Sequence, residues 1–450
     1  MPVFQNEPSI SVGILTEKQV NFDLYGDFRV TGQRKLFSGR FTADVFNDKI
    51  RCIRGDDTIE ADKEIIFEPD DIDLESFLIK DVTIGIKFHW QRKEKQRFQG
   101  TLKLLKDNNK IVVINIIPVE KYLTSVISSE MSAKSSLQML KSLAVVSRSW
   151  LLAQIDKSRS IKRKQGQYQS ESRSGNELIK WYDREEHSLF DVCADDHCQR
   201  YQGITKINSR AARQAVEETA GLVLMYNNKI CDARFSKSCG GITEDFHNVW
   251  EPVVHPYLTS IIDYKFEPET FKLNFTDERN VRKWILGKPP AFCNTNDDKI
   301  LSQVLIDYDR ETKDFYRWKI EYTQAELSDI ILKKSGINFG DIIDLIPVER
   351  GHSSRLIKLK IVGTKNELII GKELEIRRVL SLTHLYSSAI FIEKHQIEKN
   401  IPSKFIIYGA GWGHGVGLCQ IGAAVMSENG HLFDEILFHY FKNVRLIRVY

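Results

Sequence analysis

The segment from Tyr408 to Gln420 is the sequence feature that most constrains the fold of this chain. It reads Tyr-Gly-Ala-Gly-Trp-Gly-His-Gly-Val-Gly-Leu-Cys-Gln, so glycine occupies every second position from 409 to 417. Glycine loses much conformational entropy on folding, so such a run marks a bend or a close approach of the backbone to another group. Because Trp412 and His414 stand among these glycines, one candidate for that group is a ligand.

Four interpretations of this segment compete. A phosphate-binding loop is disfavoured, because neither G-x-x-x-x-G-K-[ST] nor G-x-G-x-x-G fits the spacing and no lysine follows. A cysteine nucleophile would require the fold to bring Cys419 to His414. A sugar-contacting wall would use the flat face of Trp412. A tight crossing of β-strands would need no ligand at all.

The composition excludes several classes of protein. The chain has 450 residues, enough for two or three domains, and its net charge of +3 is too small to indicate a nucleic-acid binder. No apolar run of about twenty residues is present, so we expect no transmembrane helix. The N-terminus lacks a charged stretch followed by an apolar one, so it shows no signal peptide and leaves a cytoplasmic location open.

Hydrophobic periodicity predicts an α+β fold with mixed β-rich lobes around a helical core. Alternating apolar runs indicate a β-rich N-terminal region over residues 1–110. Helical spacing then predicts helices at Val119–Ile127 and Ser135–Ile155. We expect residues 111–450 to form a second domain, with an inserted accessory lobe of amphipathic helices at 265–345.

The first candidate site is Glu130, at the junction between the two predicted helices. An apolar segment that includes Val126 and Ile127 precedes it, and Met131 follows it. A carboxyl group in apolar surroundings has a raised pKa and can hold a proton near neutral pH, as a general acid requires. A helix cap or a solvated junction would account for the same residue.

Arg148 is a second candidate, because it lies on the apolar stripe of the second helix, one turn after Ala144. A cation in that position needs a carboxylate or carbonyl partner. A structural salt bridge and a role at a binding site both remain open.

A third group combines thiols and imidazoles: His187, Cys193, His197 and Cys198. Two sulfur and two nitrogen ligands match a tetrahedral zinc site, and a site with four protein ligands would be structural. His197 and Cys198 are adjacent, so a turn would be needed to bring both to one ion. Two buried cysteines beside two surface histidines are the alternative.

The segment from Phe235 to Glu244 reads as a strand that runs into Gly240 and Gly241. Its small residues and hydroxyl groups, Ser238 among them, are suited to lining a groove.

Together these motifs resemble the family of stage II sporulation protein D and the amidase enhancer of the cell wall. The resemblance covers about residues 110–450, with the motifs in chain order. They are Glu120-Lys-Tyr-Leu, Ser129-Glu-Met131, Leu140-Lys-Ser-Leu-Ala-Val-Val-Ser-Arg148, Asp191-Val-Cys, His197-Cys-Gln-Arg-Tyr201, Ala215-Val, Thr219-Ala-Gly221, Ser238-Cys-Gly-Gly-Ile-Thr-Glu244, Gly411-Trp-Gly-His-Gly-Val-Gly-Leu-Cys-Gln420 and Gly422-Ala.

The resemblance implies a peptidoglycan lytic transglycosylase that acts on glycan strands stripped of their stem peptides. It places the catalytic acid at Glu130 and a zinc ion at Cys193, His197 and Cys198, with His187 as fourth ligand. The substrate would place the protein in the cell envelope or periplasm. The family's second name implies an alternative, a non-enzymatic wall-binding protein that enhances a separate amidase.

The resemblance also assigns a wall of the glycan groove. Its expected members are Arg148, Ser238, Gly240, Gly241, Trp412, His414 and Gln420. The chain departs from the family pattern in two places: Cys419 stands where serine is common, and Cys239 replaces another small residue. The first departure makes Cys419 an improbable nucleophile.

Overall fold

The computed structural model describes residues 4–85, 91–164, 170–181, 187–195, 197–207, 209–266, 274–305 and 314–450. Helices form 25% of the described residues and strands 39%, distributed over several sheets. The α+β class predicted from the sequence is therefore confirmed.

The secondary-structure elements are numbered in chain order. The strands are β1 (Ser9–Glu17), β2 (Gln19–Val30), β3 (Leu36–Phe46), β4 (Lys49–Arg54), β5 (Asp57–Ala61), β6 (Glu64–Pro69), β7 (Ser76–Ile84), β8 (Arg92–Phe98), β9 (Thr101–Asp107), β10 (Lys110–Pro118), β11 (Glu171–Ser174), β12 (Glu177–Lys180), β13 (Val192–Cys193), β14 (Leu222–Tyr226), β15 (Lys229–Ile230), β16 (Phe235–Ser236), β17 (Arg317–Thr323), β18 (Ile342–Arg350), β19 (Leu356–Gly363), β20 (Glu367–Gly371), β21 (Ile390–Glu398), β22 (Ile401–Ala410), β23 (Leu418–Cys419) and β24 (Arg445–Arg448). The helices are α1 (Val119–Glu130), α2 (Leu137–Lys164), α3 (Arg210–Glu218), α4 (Phe246–Val249), α5 (Glu278–Leu286), α6 (Asp298–Val304), α7 (Gln324–Ser335), α8 (Glu373–Val379), α9 (Gln420–Glu428) and α10 (Phe433–Tyr440), with a 3₁₀ helix at Gly203–Lys206.

The chain divides into two compact units. The first contains Met1–Ala133, Glu186–Leu222 and Arg448–Tyr450, and the second contains Lys134–Glu185 and Val223–Ile447. The boundary at residue 110 and the accessory lobe at 265–345 stay predictions.

The first unit is built on one large sheet in the order β13-β1-β10-β9-β6-β2-β3-β4-β5, with β7 paired to β2 and β8 to β7. Neighbouring strands are antiparallel, except that β13 runs parallel to β1. Inward-facing aromatic residues form its core, with Phe22 stacked on Phe41 at 5.3 Å between ring centroids and Phe67 edge-on to both. Burial of such rings is the main stabilising contribution to a sheet of this kind.

Helix α1 begins directly after β10, with Pro118 as its N-cap. Proline suits a helix start because its fixed φ is compatible with the first turn and its missing N–H would be unpaired there anyway. Tyr122, Leu123, Val126 and Ile127 are buried. The helix reaches Glu130, further than the predicted end at Ile127, so the carboxyl group lies on the last helical turn.

The second unit contains several smaller sheets. Strands β11-β12-β20-β19-β18 and β17-β22-β21 form the two largest, and β16 pairs with β23 in parallel. A third small sheet has the order β15-β14-β24. A continuous apolar core that includes Trp318, Leu359 and Ile407 joins helices α7 and α8 to the first two sheets. The predicted helix at Ser135–Ile155 is observed as α2, which begins at Leu137 and continues to Lys164.

None of the helices in the described ranges combines the length and apolar character needed to cross a membrane.

Candidate functional site

Glu130 ends α1 and is half-buried. One of its carboxylate oxygens, Oε1, accepts a hydrogen bond from the backbone N–H of Arg200 at 3.2 Å. The residues that precede it, Ser128 and Ser129, are buried, and their hydroxyl groups have no hydrogen-bond partner among the described residues. The carboxyl group is therefore held by a backbone donor and has polar hydroxyl groups beside it in the chain.

The segment that supplies this donor, Gln199–Tyr201, is fixed against α1 by aromatic stacking. The Tyr201 ring stacks on Tyr122 at 4.9 Å between centroids, and its hydroxyl group donates a hydrogen bond of 2.6 Å to Oδ1 of Asn115. The Tyr122 hydroxyl group in turn donates to the side-chain oxygen of Gln199 at 3.4 Å. Burial raises the pKa of both tyrosines, so they stay neutral hydrogen-bond donors.

A cluster of four side chains lies just before this segment in the chain. We call it the outer cluster: His187, Cys193, His197 and Cys198. Their ligand atoms all lie within 4.8 Å of one another. Sγ of Cys198 is 3.4 Å from Nε2 of His187 and 3.6 Å from Nδ1 of His197, and Sγ of Cys193 is 3.9 Å from the same Nδ1. The structure thus forms a possible metal-binding group from the residues that the sequence predicted.

Local backbone geometry brings these ligands together. Strand β13 is held beside β1 by Asp191, whose carboxylate accepts hydrogen bonds from the N–H and the hydroxyl group of Ser11. Gly13 is required there, since a Cβ atom would come within 2.4 Å of the Phe190 ring. His197 and Cys198 are adjacent in the chain, so a turn is needed to bring both side chains to one ion. The structure contains such a turn, in which the Cys198 N–H donates a hydrogen bond to the Asp195 carbonyl at 3.1 Å.

The surroundings of Cys193 favour its thiolate form. A hydrogen bond with Cys198, followed by those with His187 and His197, holds the pKa of Cys193 well below its ordinary value, against the opposing effect of burial. Metal-binding sites need the thiolate form of cysteine, so this electrostatic environment favours a ligand role.

The glycine-rich segment belongs to the second unit and packs against the chain itself. Ser238 and Trp412 pair as an antiparallel bridge through two backbone hydrogen bonds of 3.0 and 2.8 Å. A Cβ atom on Gly240 would come within 2.8 Å of the Gly411 nitrogen, and one on Gly411 within 2.8 Å of the Ser238 oxygen. Both glycines have positive φ, of 78° and 76°. Contact between two backbones therefore accounts for these glycines without a ligand.

The surroundings of His414 favour its neutral form. Burial lowers its pKa well below the ordinary value, and the positive charges of Arg234, Arg377 and Arg355 add to the effect. Its Nδ1 atom accepts a hydrogen bond from the Val416 N–H at 3.0 Å, so the ring helps to hold the loop in shape.

Trp412 is half-buried, and neighbouring rings cover much of it. It stacks on Tyr386 at 4.1 Å between centroids and lies 4.7 Å from the Phe315 ring. Ser238, Gln420 and Arg148 are almost fully buried. Gly241 lies against the Tyr316 hydroxyl group and the Trp284 ring. A glycan-binding role for these residues stays a prediction.

Two family models and several known proteins are similar to this chain. A family model described as stage II sporulation protein matches residues 107–226, and a domain of unknown function (DUF8618) matches residues 244–417. Stage II sporulation protein D of Bacillus amyloliquefaciens is 23% identical over 73% of this chain and 74% of its own length. The amidase enhancer of Bacillus subtilis (strain 168) is 26% identical over 52% of this chain.

The resemblance of this chain to the family of stage II sporulation protein D and the amidase enhancer is therefore confirmed. The match covers only 32% of the amidase enhancer's own length. An uncharacterized protein of Brachyspira hyodysenteriae (strain ATCC 49526 / WA1) is 25% identical over 78% of the chain and 72% of its own length.

The match to the sporulation protein family over residues 107–226 contains Glu130 and the whole outer cluster. Sequence reasoning identified these residues, but it missed the Arg200 N–H that binds Glu130, because backbone donors leave no signal in residue types. It also missed Asp263 and Cys293, which lie beside Cys239 and Cys419. The wide separation of these four residues along the chain gives no motif that could have revealed them.

Proposed function

We propose that this protein is a peptidoglycan lytic transglycosylase in which Glu130 is the single general acid and base. The proposal rests chiefly on the position of Glu130: a half-buried carboxyl group at the end of α1 whose Oε1 atom accepts a hydrogen bond from the backbone N–H of Arg200. The resemblance to the sporulation protein D family supports the same conclusion.

The chemistry requires only one carboxyl group. Protonated Glu130 gives its proton to the glycosidic oxygen between N-acetylmuramic acid and N-acetylglucosamine, and the bond from that oxygen to the anomeric carbon breaks. The C6 hydroxyl oxygen of the same muramic residue bonds to the anomeric carbon, and its proton returns to Glu130. The product is a 1,6-anhydro end, and neither water nor a second carboxylate takes part, unlike the two-carboxylate glycosidases.

The outer cluster fits a structural zinc ion. Bond lengths of about 2.3 Å to sulfur and 2.0–2.1 Å to nitrogen in a tetrahedral site separate sulfur and nitrogen ligands by about 3.6 Å. The separations between Sγ and ring nitrogen atoms in the outer cluster are 3.4, 3.6 and 3.9 Å. Cys193, Cys198, His187 and His197 would fill all four positions, so the ion would fix the loop that leads to Arg200 and would not activate water.

The test is product analysis on glycan strands stripped of stem peptides. We expect the wild type to release anhydro-muramic ends, identified by mass spectrometry through the absence of one added water. Glu130→Gln keeps the shape but cannot donate the proton, so its rate should fall by a factor of about 10² to 10⁴.

Glu60→Gln is the matched control, because Glu60 is an exposed glutamate of β5 in the same unit. It should retain wild-type activity. Reducing ends as the only products, or a fully active Glu130→Gln variant, would refute the assignment.

A cell-wall-binding enhancer of an N-acetylmuramoyl-L-alanine amidase is the second candidate. The amidase enhancer match favours it, and so does a cleft of about 540 Å³ in the second unit whose lining includes Tyr264, Phe266, Phe275 and His352. Aromatic rings in an open cleft suit the apolar faces of sugars. Glycan pull-down and stimulation of a purified amidase that persist in Glu130→Gln would select this function. Either function places the protein at the cell envelope.

A further inference from the structure

The second unit contains another group of ligand atoms, which we call the inner cluster: Cys239, Asp263, Cys293 and Cys419. All four residues are buried, and their ligand atoms lie within 4.8 Å of one another. Sγ of Cys239 is 3.6 Å from Sγ of Cys293 and 3.2 Å from Oδ2 of Asp263. A disulfide would need about 2.05 Å between sulfur atoms, so these are free thiols at the spacing of ligands around a tetrahedral ion.

Backbone N–H groups point at the sulfur atoms of the inner cluster. Sγ of Cys419 accepts from the N–H groups of Cys239 and Gly422 at 3.3 and 3.4 Å, and Sγ of Cys239 accepts from Gly241 at 3.4 Å. Cys419 is also the N-cap of α9, where the partial positive charge of the helix end stabilises an anion. Burial raises the pKa of the Cys239 and Cys419 thiols, and these donors act in the opposite direction by stabilising negative charge on sulfur.

Asp263 is positioned as a ligand by the groups around it. The Tyr440 hydroxyl group donates to Oδ1 at 2.7 Å and Nε2 of His439 lies 3.4 Å from the same oxygen, while Oδ2 faces the Cys239 thiol. Hydrogen bonds of this kind orient a ligating carboxylate. A Cβ atom on Gly422 would lie 2.6 Å from Oδ2, so glycine at this position leaves room for the carboxylate.

Two guanidinium groups give the surroundings a positive charge. Arg355 is buried and donates to the Cys239 carbonyl oxygen through both terminal nitrogens, at 3.2 and 3.1 Å, and Arg317 donates to the Gly240 carbonyl at 2.9 Å. Within the described residues, every acceptor of these two arginines is a neutral carbonyl or hydroxyl oxygen. Buried cations need a compensating negative charge. A divalent ion bound by three thiolates and one carboxylate has a net charge of about −2 and would supply it.

We propose that the inner cluster binds a structural Zn²⁺ ion through the thiolates of Cys239, Cys293 and Cys419 and the carboxylate of Asp263. Zinc accepts sulfur and carboxylate ligands in tetrahedral geometry, and a site filled by four protein ligands leaves no position for water. The ion would join the segment Ser238–Glu244 to the start of α9, and so hold the glycine-rich loop in place.

Metal analysis of the full-length protein tests the proposal. The wild type, purified under reducing conditions and dialysed, should contain about two zinc ions per chain, and Cys293→Ser about one. Cys231→Ser is the matched control, because Cys231 is a buried free cysteine of the same unit outside both clusters. It should keep about two ions.

A second measurement does not depend on how well Cys293→Ser folds. The Cys193→Ser variant should retain only the inner ion, whose X-ray absorption fine structure should show about three sulfur neighbours at about 2.3 Å and one oxygen neighbour. Absence of zinc from this variant, a shell containing histidine nitrogen, or a disulfide between Cys239 and Cys293 in the anaerobically purified wild type would overturn the proposal.

Discussion

The outer and inner clusters offer similar ligand atoms in opposite surroundings. The outer cluster has two sulfur and two nitrogen atoms from residues 187–198, and its side chains are half-buried, apart from the exposed His197. The inner cluster has three sulfur atoms and one carboxylate from residues spread between 239 and 419, all buried. A short, partly exposed loop can open to exchange a metal, whereas a buried site opens only when its packing is disrupted.

The two clusters also differ in what they hold in place. The outer cluster leads within two residues to the Arg200 N–H that binds Glu130. The inner cluster joins the Ser238–Glu244 segment to the end of the glycine-rich run. We therefore expect disruption of the outer cluster to affect catalysis directly, and disruption of the inner cluster to affect the stability of the second unit.

The largest expected difference comes from Cys193→Ser. This variant should lose the outer ion and release the loop before Arg200, so glycan cleavage should fall by about ten-fold or more. Zinc content and the rate of anhydro-product formation measure the two effects together. Cys52→Ser, at a buried cysteine of β4 in the same unit, should keep its zinc. If Cys193→Ser lost its outer zinc ion but cleaved glycan at the wild-type rate, the outer cluster would not be needed for activity.

Chelation should distinguish the clusters by rate. We expect EDTA to extract the outer ion at least about ten-fold faster than the inner ion, because the outer ligands are partly exposed and the inner ones are buried. Zinc release followed with a colorimetric indicator should show two phases, and Cys193→Ser should lack the fast phase. Zinc release from the wild type in a single phase would show that EDTA reaches the outer and inner clusters equally well.

A smaller effect is expected from Tyr201→Phe, which tests the aromatic support of the Glu130 segment. The change leaves Oδ1 of Asn115 without the Tyr201 donor in a buried position, which costs about 1–3 kcal/mol of unfolding free energy. Denaturant titration measures this loss, and the zinc content should not change. Tyr25→Phe, at an exposed tyrosine of the same sheet, should have almost no effect.

The smallest expected effect concerns pH. Because burial lowers the pKa of His414, the unfolded chain binds more protons than the folded one below an unfolded pKa of about 6.5, and stability falls as the pH is lowered through that value. The melting temperature of His414→Gln should fall less than that of the wild type between pH 7 and pH 5. His395→Gln, at an exposed histidine of β21, should follow the wild type. If the melting temperatures of His414→Gln and the wild type fell equally between pH 7 and pH 5, His414 would be charged in the folded protein as well as in the unfolded chain.

The sequence predicted the parts of the site that depend on neighbouring residues. The apolar spacing predicted a helix that ends at Ile127, just before Glu130, and the spacing of four ligands in one loop predicted the outer cluster. The glycine-rich run was harder to interpret, because glycine leaves room equally for a ligand and for a second backbone. Only the fold shows that the group next to Gly411 is the chain segment around Ser238 and Gly240.

The sequence by itself therefore determined the α+β class, the resemblance to the sporulation protein D family, a helix just before Glu130 and the residues of the outer cluster, because each depends on local periodicity or on a short motif. The tertiary structure alone decided which backbone N–H binds Glu130 and that Asp263 and Cys293 join Cys239 and Cys419. The physical reason is that these contacts join residues far apart in the chain, and their partners are chosen by packing and hydrogen bonding across the whole unit. No local pattern of residue types encodes such a choice.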